Sequence, residues 1–310
     1  MLEYIRNLCD LSNGIELSKI IPNSDIPIFH YTSPAGFRGI IENHTLRFTD
    51  RYFLNDYSEG IYVMDLCIEN IPSLVPDHEA FSQELLKKCK ERKEKPQTDN
   101  FYVYQCSFST DKDSLCLWNY YTKGDNIQGY NLCFNSKELC AKLKLKSDME
   151  DGRLPPIYSG KVVYDKKEQL DIVKDIVNRF FKLSADDNNH QHYQFTIGLL
   201  IDKLMMAGVF FKKNCFAIEK EYRLAFNLHR DSSLGKFTAI KEEQKYYEKN
   251  GILIPYVDIE FEPNALVQIG ISPTLDLSTT TNSIYRATIK DFPQIEKNKT
   301  VKESCIPVRY

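Results

Sequence analysis

The sequence is short of positive charge, of long apolar runs and of cysteines at metal-binding spacing. Its 40 Lys+Arg are outnumbered by 43 Asp+Glu, a net charge of −3, which argues against the broad basic face of a general nucleic-acid binder. No stretch approaches the roughly 20 apolar residues of a membrane helix. The opening MLEYIRNLCD carries Glu3, Arg6 and Asp10 without an apolar run and cleavage site, so it does not read as a secretory leader. Cys9, Cys67, Cys89, Cys106, Cys116, Cys133, Cys140, Cys215 and Cys305 include no CxxC pair. They are expected to be reduced thiols, several buried as small apolar residues. Together with the 6 His they show no ligand spacing, so no bound metal is expected. These features lead to the expectation of a cytoplasmic protein without a membrane partner.

What is present is the balance of a folded domain. The 310 residues are 42% hydrophobic and 27% charged, enough for one large domain or two ordinary ones. Aromatics reach 12%, with 19 Tyr, 18 Phe and 1 Trp, and Tyr suits a surface that binds something.

IPIFHY reads as a short strand, after which Ser33 is an N-cap, Pro34 the first helical residue, and Phe37, Ile40 and Ile41 a buried stripe. HTLRFTD is a second strand and LNDYSEG a loop shaped by Asn55, Asp56 and Gly60. Residues 77–95 read as a helix with a solvated charged end. FYVYQCSFS (101–109) alternates as a central strand, DSLCLWNYYTK as a helix capped by Asp113 or Ser114, and GYNLCF and GKVVYD as strands. Helices follow from about Lys167 to Leu183 and from Tyr193 to Phe211. CFAIEKEYRLAF (215–226) reads as one strand with Phe216, Ile218, Tyr222, Leu224 and Phe226 on a common face. ILIPYVDIEF and ALVQIGI are joined by a Pro263-Asn264 turn, and the chain beyond Leu277 reads as a polar surface wrap. No internal repeat or long linker divides the chain. The expectation is one α+β domain with a mainly antiparallel, split β-sheet core and flanking helices, over residues 28–277. It is preceded by an extension (1–27) and followed by the tail (278–310).

On the strand 215–226 the face opposite the apolar one carries Glu219, Glu221 and Arg223, two carboxylates about 7 Å apart. Alone, this reads first as a solvent-facing strand edge with a low-value surface ion pair. His30, Tyr31 and Thr32 end one strand, Ser107 and Ser109 share a face of another, and Trp118, Tyr120 and Tyr121 follow it. A histidine, hydroxyls, aromatic rings and paired glutamates are the parts of a nucleotide pocket. Each also has a bland role: a lone His usually caps or hydrogen-bonds, and Trp and Tyr usually pack.

The order FHYTSPAGFRGIIENHTLRFTDRYFLNDYSE, then CSFSTDKDSLCLWNYY, then EKEYRL, resembles a widespread family of poorly characterised bacterial proteins. The matching pieces are the His-Tyr strand, Asn55-Asp56 with Glu59, Trp118 with Tyr121, and Glu219 with Glu221 and Arg223. VQIGIS (267–272) resembles that family's closing strand. The family is in turn distantly similar to ADP-ribosyltransferases. That resemblance implies an ADP-ribosyltransferase-like fold, with NAD as substrate and no metal. It implies that His30, Tyr31 and Thr32 hold a ribose, that Ser107 and Ser109 support the nicotinamide side, and that Trp118 and Tyr121 contact the cofactor. Glu221 would be the catalytic carboxylate, supported by His30, and Glu219 would orient the acceptor, whether a protein, a nucleic acid or water, the last making the protein an NAD glycohydrolase. Cleavage of the nicotinamide–ribose bond builds an oxocarbenium-like sugar, which a carboxylate stabilises most in the transition state. The rival classes are a non-catalytic nucleotide-binding module and a protein-interaction domain.

Overall fold

Ser33 ends the first strand and starts the first helix. β1 (Pro27–Thr32) gives way at Ser33, which is extended at φ −68°, ψ 164°, and whose Oγ accepts from Gly36 N at 3.2 Å. Pro34 then opens α1 (Pro34–Asn43), which buries Phe37, Ile40 and Ile41. His44 closes that helix in the left-handed region, φ 53°, and β2 (Thr45–Asp50) follows. The structure, a computed structural model, describes residues 25–54, 61–75, 78–95, 102–122, 128–149, 152, 154–184, 190–228, 230–231, 236–237, 240–297 and 299–307. Most of the expected N-terminal extension, the Asn55-Asp56-Glu59 loop and Cys9 lie outside the described residues.

The chain continues through α2 (Tyr62–Leu74), α3 (Glu79–Glu94), β3 (Tyr102–Ser109), α4 (Leu115–Tyr121), β4 (Tyr130–Asn135), α5 (Ser136–Lys142) and β5 (Leu143–Lys144). Then come β6 (Tyr158–Lys161), α6 (Lys166–Ser184), α7 (His190–Ala207), β7 (Glu221–Leu228) and a small ribbon of β8 (Arg230–Asp231) with β9 (Lys236–Phe237). β10 (Lys245–Lys249), β11 (Ile252–Phe261), β12 (Leu266–Ile271), α8 (Leu277–Thr288) and β13 (Val301–Glu303) complete it. Eleven strands form one sheet whose main path runs β10-β11-β2-β3-β1-β4-β12-β13, with β7 and β6 beside β3 and β5 beside β11. The pairings are antiparallel except β12–β13. The α+β, mainly antiparallel reading holds at this level.

β3 is where the sheet divides. One edge pairs with β7 along its whole length, Tyr102↔Leu228 to Ser109↔Glu221. The other edge is shared: β2 takes Gln105 and Tyr104 through Thr49 and Asp50, while β1 takes Ser109 through Phe29. Residues 106–108 lie between the two partners. Each sheet face has its own core. One packs Val103 and Ala225 under α2, α3, α6 and α7, and the other gathers Ile28, Phe48, Tyr104, Phe108, Leu224 and Phe261 with α1 and α8.

Several local readings need correction. Residues 215–226 are not one strand: Asn214–Glu219 is a 3-10 turn, Lys220 is left-handed at φ 44°, and the strand begins at Glu221. The reason is tertiary. Lys220 O accepts from Thr110 N at 2.9 Å and its Nζ pairs with Asp111 at 2.9 Å, so the loop after β3 holds the bend, and Ile218 is left 60% exposed. The GKVVYD strand lies earlier, at Tyr158–Lys161. The second long helix stops at Ala207, and a 3-10 turn carries on to Phe210. Beyond Leu277 the chain does more than wrap the surface, since Ile284, Phe292, Ile295 and Val301 are buried and β13 extends the sheet.

Candidate functional site

Glu221, the first residue of β7, is 6% exposed. Arg223 stands two residues on and therefore on the same strand face. Its Nε donates to Glu221 Oε1 at 2.8 Å and its Nη2 to Oε2 at 2.7 Å, a bidentate pair. Arg223 Nη1 donates to Val209 O at 2.5 Å, fixing the guanidinium against the turn after α7. Lys212, just beyond that turn, reaches Glu221 Oε2 at 3.3 Å and Glu219 Oε2 at 2.8 Å. The Ser107 hydroxyl completes the shell of Glu221. Burial pushes the Glu221 carboxyl up, but the charges of Arg223 and Lys212 outweigh it and hold the group at about 2. It is ionised at neutral pH. The backbone is pinned as well, because Glu221 N donates to the Tyr164 hydroxyl at 2.9 Å.

His30 meets this cluster indirectly. Phe29 pairs with Ser109, so alternation turns His30 to the other face of the sheet, where its ring lies 5.4 Å from Phe108. The expected single wall of His30 and Glu221 is therefore replaced by a link through Ser107. At the division of the sheet His30 Nδ1 donates to Ser107 O at 3.0 Å, while the Ser107 hydroxyl serves Glu221 on the opposite face. A carbonyl only accepts, so Nδ1 carries the hydrogen. Burial lowers the His30 pKa against that bond, leaving a neutral ring with Nε2 as acceptor. His30 and Ser107 are both only half-buried, so solvent reaches the sheet here.

The remaining expected contacts divide in two. Tyr121 is 38% exposed and stands in the field of the cluster. Burial first, then the charges of Glu219 and Glu221, raise its pKa, so its hydroxyl keeps its proton. Tyr31, Thr32, Ser109 and Trp118, by contrast, are buried and serve the fold. The Tyr31 hydroxyl donates to Asp111 O at 2.8 Å and accepts from Ser114 N at 3.1 Å. Thr32 Oγ1 fills the space beside Gly36. Ser109 Oγ donates to Glu219 O at 2.7 Å and accepts from Asp111 N at 3.0 Å. Trp118, 1% exposed, packs edge-on against Tyr31 at 4.7 Å and donates Nε1 to Asp113 at 2.8 Å, so it offers no ring face for stacking.

Sequence reasoning missed Lys212 and Tyr164. Lys212 follows the apolar run GVFF and resembles any surface lysine; the one available signal was that a charge closing a buried run needs a partner. Among the described residues no group of three His, Cys, Asp or Glu could hold a metal ion. No helix among them is long and apolar enough to cross a membrane.

Residues 117–224 match the model of a family described as a protein of unknown function (DUF2971). The DUF2971 match runs from α4 into β7 and so contains Trp118, Tyr121, Lys212, Glu219, Glu221 and Arg223. It bears out the resemblance to an uncharacterised family over that span. The His-Tyr strand and Ser107 fall outside it. No curated protein and no solved structure gives a match.

Proposed function

We propose that the division of the sheet at Ser107 binds NAD and that the neighbouring carboxylates promote cleavage of its nicotinamide–ribose bond. ADP-ribose is then transferred to a protein or nucleic-acid acceptor. The observation that carries this reading is the pair Glu219 and Glu221, bridged by Lys212 beside the half-buried Ser107. An ionised carboxylate held in place before the reaction is what a developing oxocarbenium requires, because no reorganisation is needed as charge appears. The Tyr121 hydroxyl donates to the substrate, while His30, on the other face of the sheet, acts through its bond to Ser107 O. The reaction uses no metal.

A second reading has its own support. Both oxygens of Glu221 are already taken by Arg223 and Lys212, as suits a module that binds a nucleotide without cleaving it. The pure protein incubated with NAD separates the two. Release of free nicotinamide, with ADP-ribose appearing on an acceptor from lysate, supports transfer. Saturable NAD binding without release selects the binding module, and absence of both rejects the site.

A further inference from the structure

The two glutamates of EKEYR are not equivalent in the folded chain. Glu221 accepts from Arg223 Nε on one oxygen and from Arg223 Nη2 and Lys212 Nζ on the other. Glu219 sits before the left-handed bend at Lys220, on a 3-10 turn rather than on the strand. Its side chain is 15% exposed against 6% for Glu221. Its Oε2 accepts from Lys212 at 2.8 Å, and Oε1 has no partner among the described residues. The bend is itself restrained, by Lys220 O with Thr110 N and by Lys220 Nζ with Asp111.

From this geometry we infer that Glu219 is the carboxylate presented to a ligand, and that Lys212 is a positioning residue that holds it there. Glu221 and Arg223 are then the fixed base on which Lys212 is anchored. Lys212 is suited to the task. It is 7% exposed, its ammonium lies 4.7 Å over the ring of Phe216, and it bridges the two carboxylates. One oxygen of Glu219 is thereby fixed and the other left open, which orients a carboxylate without neutralising the face it shows to solvent. This allocation rests on the proposed NAD cleavage for its chemistry, and it reverses the roles the resemblance implies. Glu219 meets the sugar cation, and Glu221 acts through Lys212.

The test has one arm that needs no activity. Carbodiimide with a small amine converts accessible carboxylates to amides, and mass spectrometry reads each site in the native full-length protein. Glu219 is expected to label several-fold faster than Glu221, and equal rates would overturn the inference. The second arm measures nicotinamide release and NAD binding. Glu219→Gln should lose about 10²-fold or more in release, with NAD affinity and melting temperature unchanged. Lys212→Met should lower kcat more than it weakens NAD binding. Lys212→Arg should recover most of the rate. A Glu219→Gln variant as active as wild type overturns the inference even if Lys212→Met fails to fold. If the wild type releases no nicotinamide, the proposed reaction fails, while the labelling ratio still decides which carboxylate faces the ligand.

Discussion

Two carboxylates are buried in neighbouring parts of the same sheet and are driven in opposite directions. Asp50, at the end of β2, is 4% exposed, and Glu221, at the start of β7, is 6% exposed. Burial pushes Asp50 up to about 6, against the Tyr52 N–H that its Oδ1 accepts at 2.9 Å and the nearby charge of Arg51. Burial pushes Glu221 up too, yet Arg223 and Lys212 bring it down to about 2. Similar exposure thus gives a carboxyl that is half protonated near pH 6 and one that stays ionised until the pH approaches about 2. What separates them is contact with cations, not depth. Arg51, beside Asp50 in sequence, gives its Nη1 to Met205 O at 2.8 Å, whereas Arg223 turns two donors onto Glu221.

The difference is broken most directly by removing the cation. Arg223→Met leaves Glu221 buried with Lys212 as its remaining cation, and loss of one partner of a buried pair typically costs about 3–5 kcal/mol. Urea unfolding should show that loss. The double replacement Glu221→Leu with Arg223→Met should recover a large share of it, because an apolar pair needs no compensation. A single Arg223→Met variant within 1 kcal/mol of wild type would falsify the view that the pair is dry and mutually dependent.

Next in size is the effect of pH. The folded-state value for Glu221 lies below its ordinary 4.5. Its contribution is complete above that point and is lost as pH falls toward about 2. For Asp50 the folded-state value lies above the ordinary 3.8. The native state therefore binds the extra proton between about 3.8 and 6, and stability falls as pH rises through that window. Asp50→Asn keeps an acceptor for Tyr52 N and removes the buried charge. It should stabilise the protein at pH 7 by roughly 2–3 kcal/mol, from about two pKa units at 1.36 kcal/mol each, and leave stability near pH 4 unchanged. Denaturant midpoints at the two pH values check this. Equal shifts at both would show that the gain is not electrostatic.

This contrast also marks what could be seen in the sequence. Alternation and caps placed β1, α1, β3 and β11, because apolar period and capping chemistry are local. The candidate residues were legible as types, and Ser107, Glu219, Glu221 and Tyr121 come together on one face of the sheet, while His30 lies on the other and joins them only through Ser107 O. Their states were not. The alternation of CFAIEKEYRLAF continues through Glu219 as though the strand did, and only the hold of the β3–α4 loop on Lys220 breaks it. The face on which Glu221 lies reads as solvent-exposed until Lys212 and the turn at Val209 are folded over it. α2 was hidden by Pro72, a helix breaker in most positions, although Val63, Met64, Leu66, Cys67 and Ile71 form its buried stripe.

Asp113 sharpens the comparison at its mild end. Its Oδ1 accepts from Trp118 Nε1 at 2.8 Å and from the Ser304 hydroxyl at 2.7 Å, and its Oδ2 accepts from Cys305 N at 2.7 Å. Each of these donors is neutral, and two of them, Ser304 and Cys305, belong to the segment after β13, which thereby ties the C-terminal chain to the start of α4. Ile306 packs on the small core of Phe29, Tyr31, Leu117 and Trp118 beside it. Ser304→Ala removes one donor to Asp113 and the acceptor for Ile306 N at 3.1 Å, but it strands no charge without a donor. The expected cost is about 1 kcal/mol, well below that of Arg223→Met. Trp118 is the only tryptophan of the chain, so its fluorescence reports both unfolding and the local change. The urea midpoint should fall slightly while the native emission maximum stays where it is, since Tyr31 and the core still enclose the ring. A red-shifted native emission would show instead that the C-terminal segment seals Trp118. A loss as large as that of Arg223→Met would show that neutral donors can matter as much to a half-buried carboxylate as cations do to a buried one.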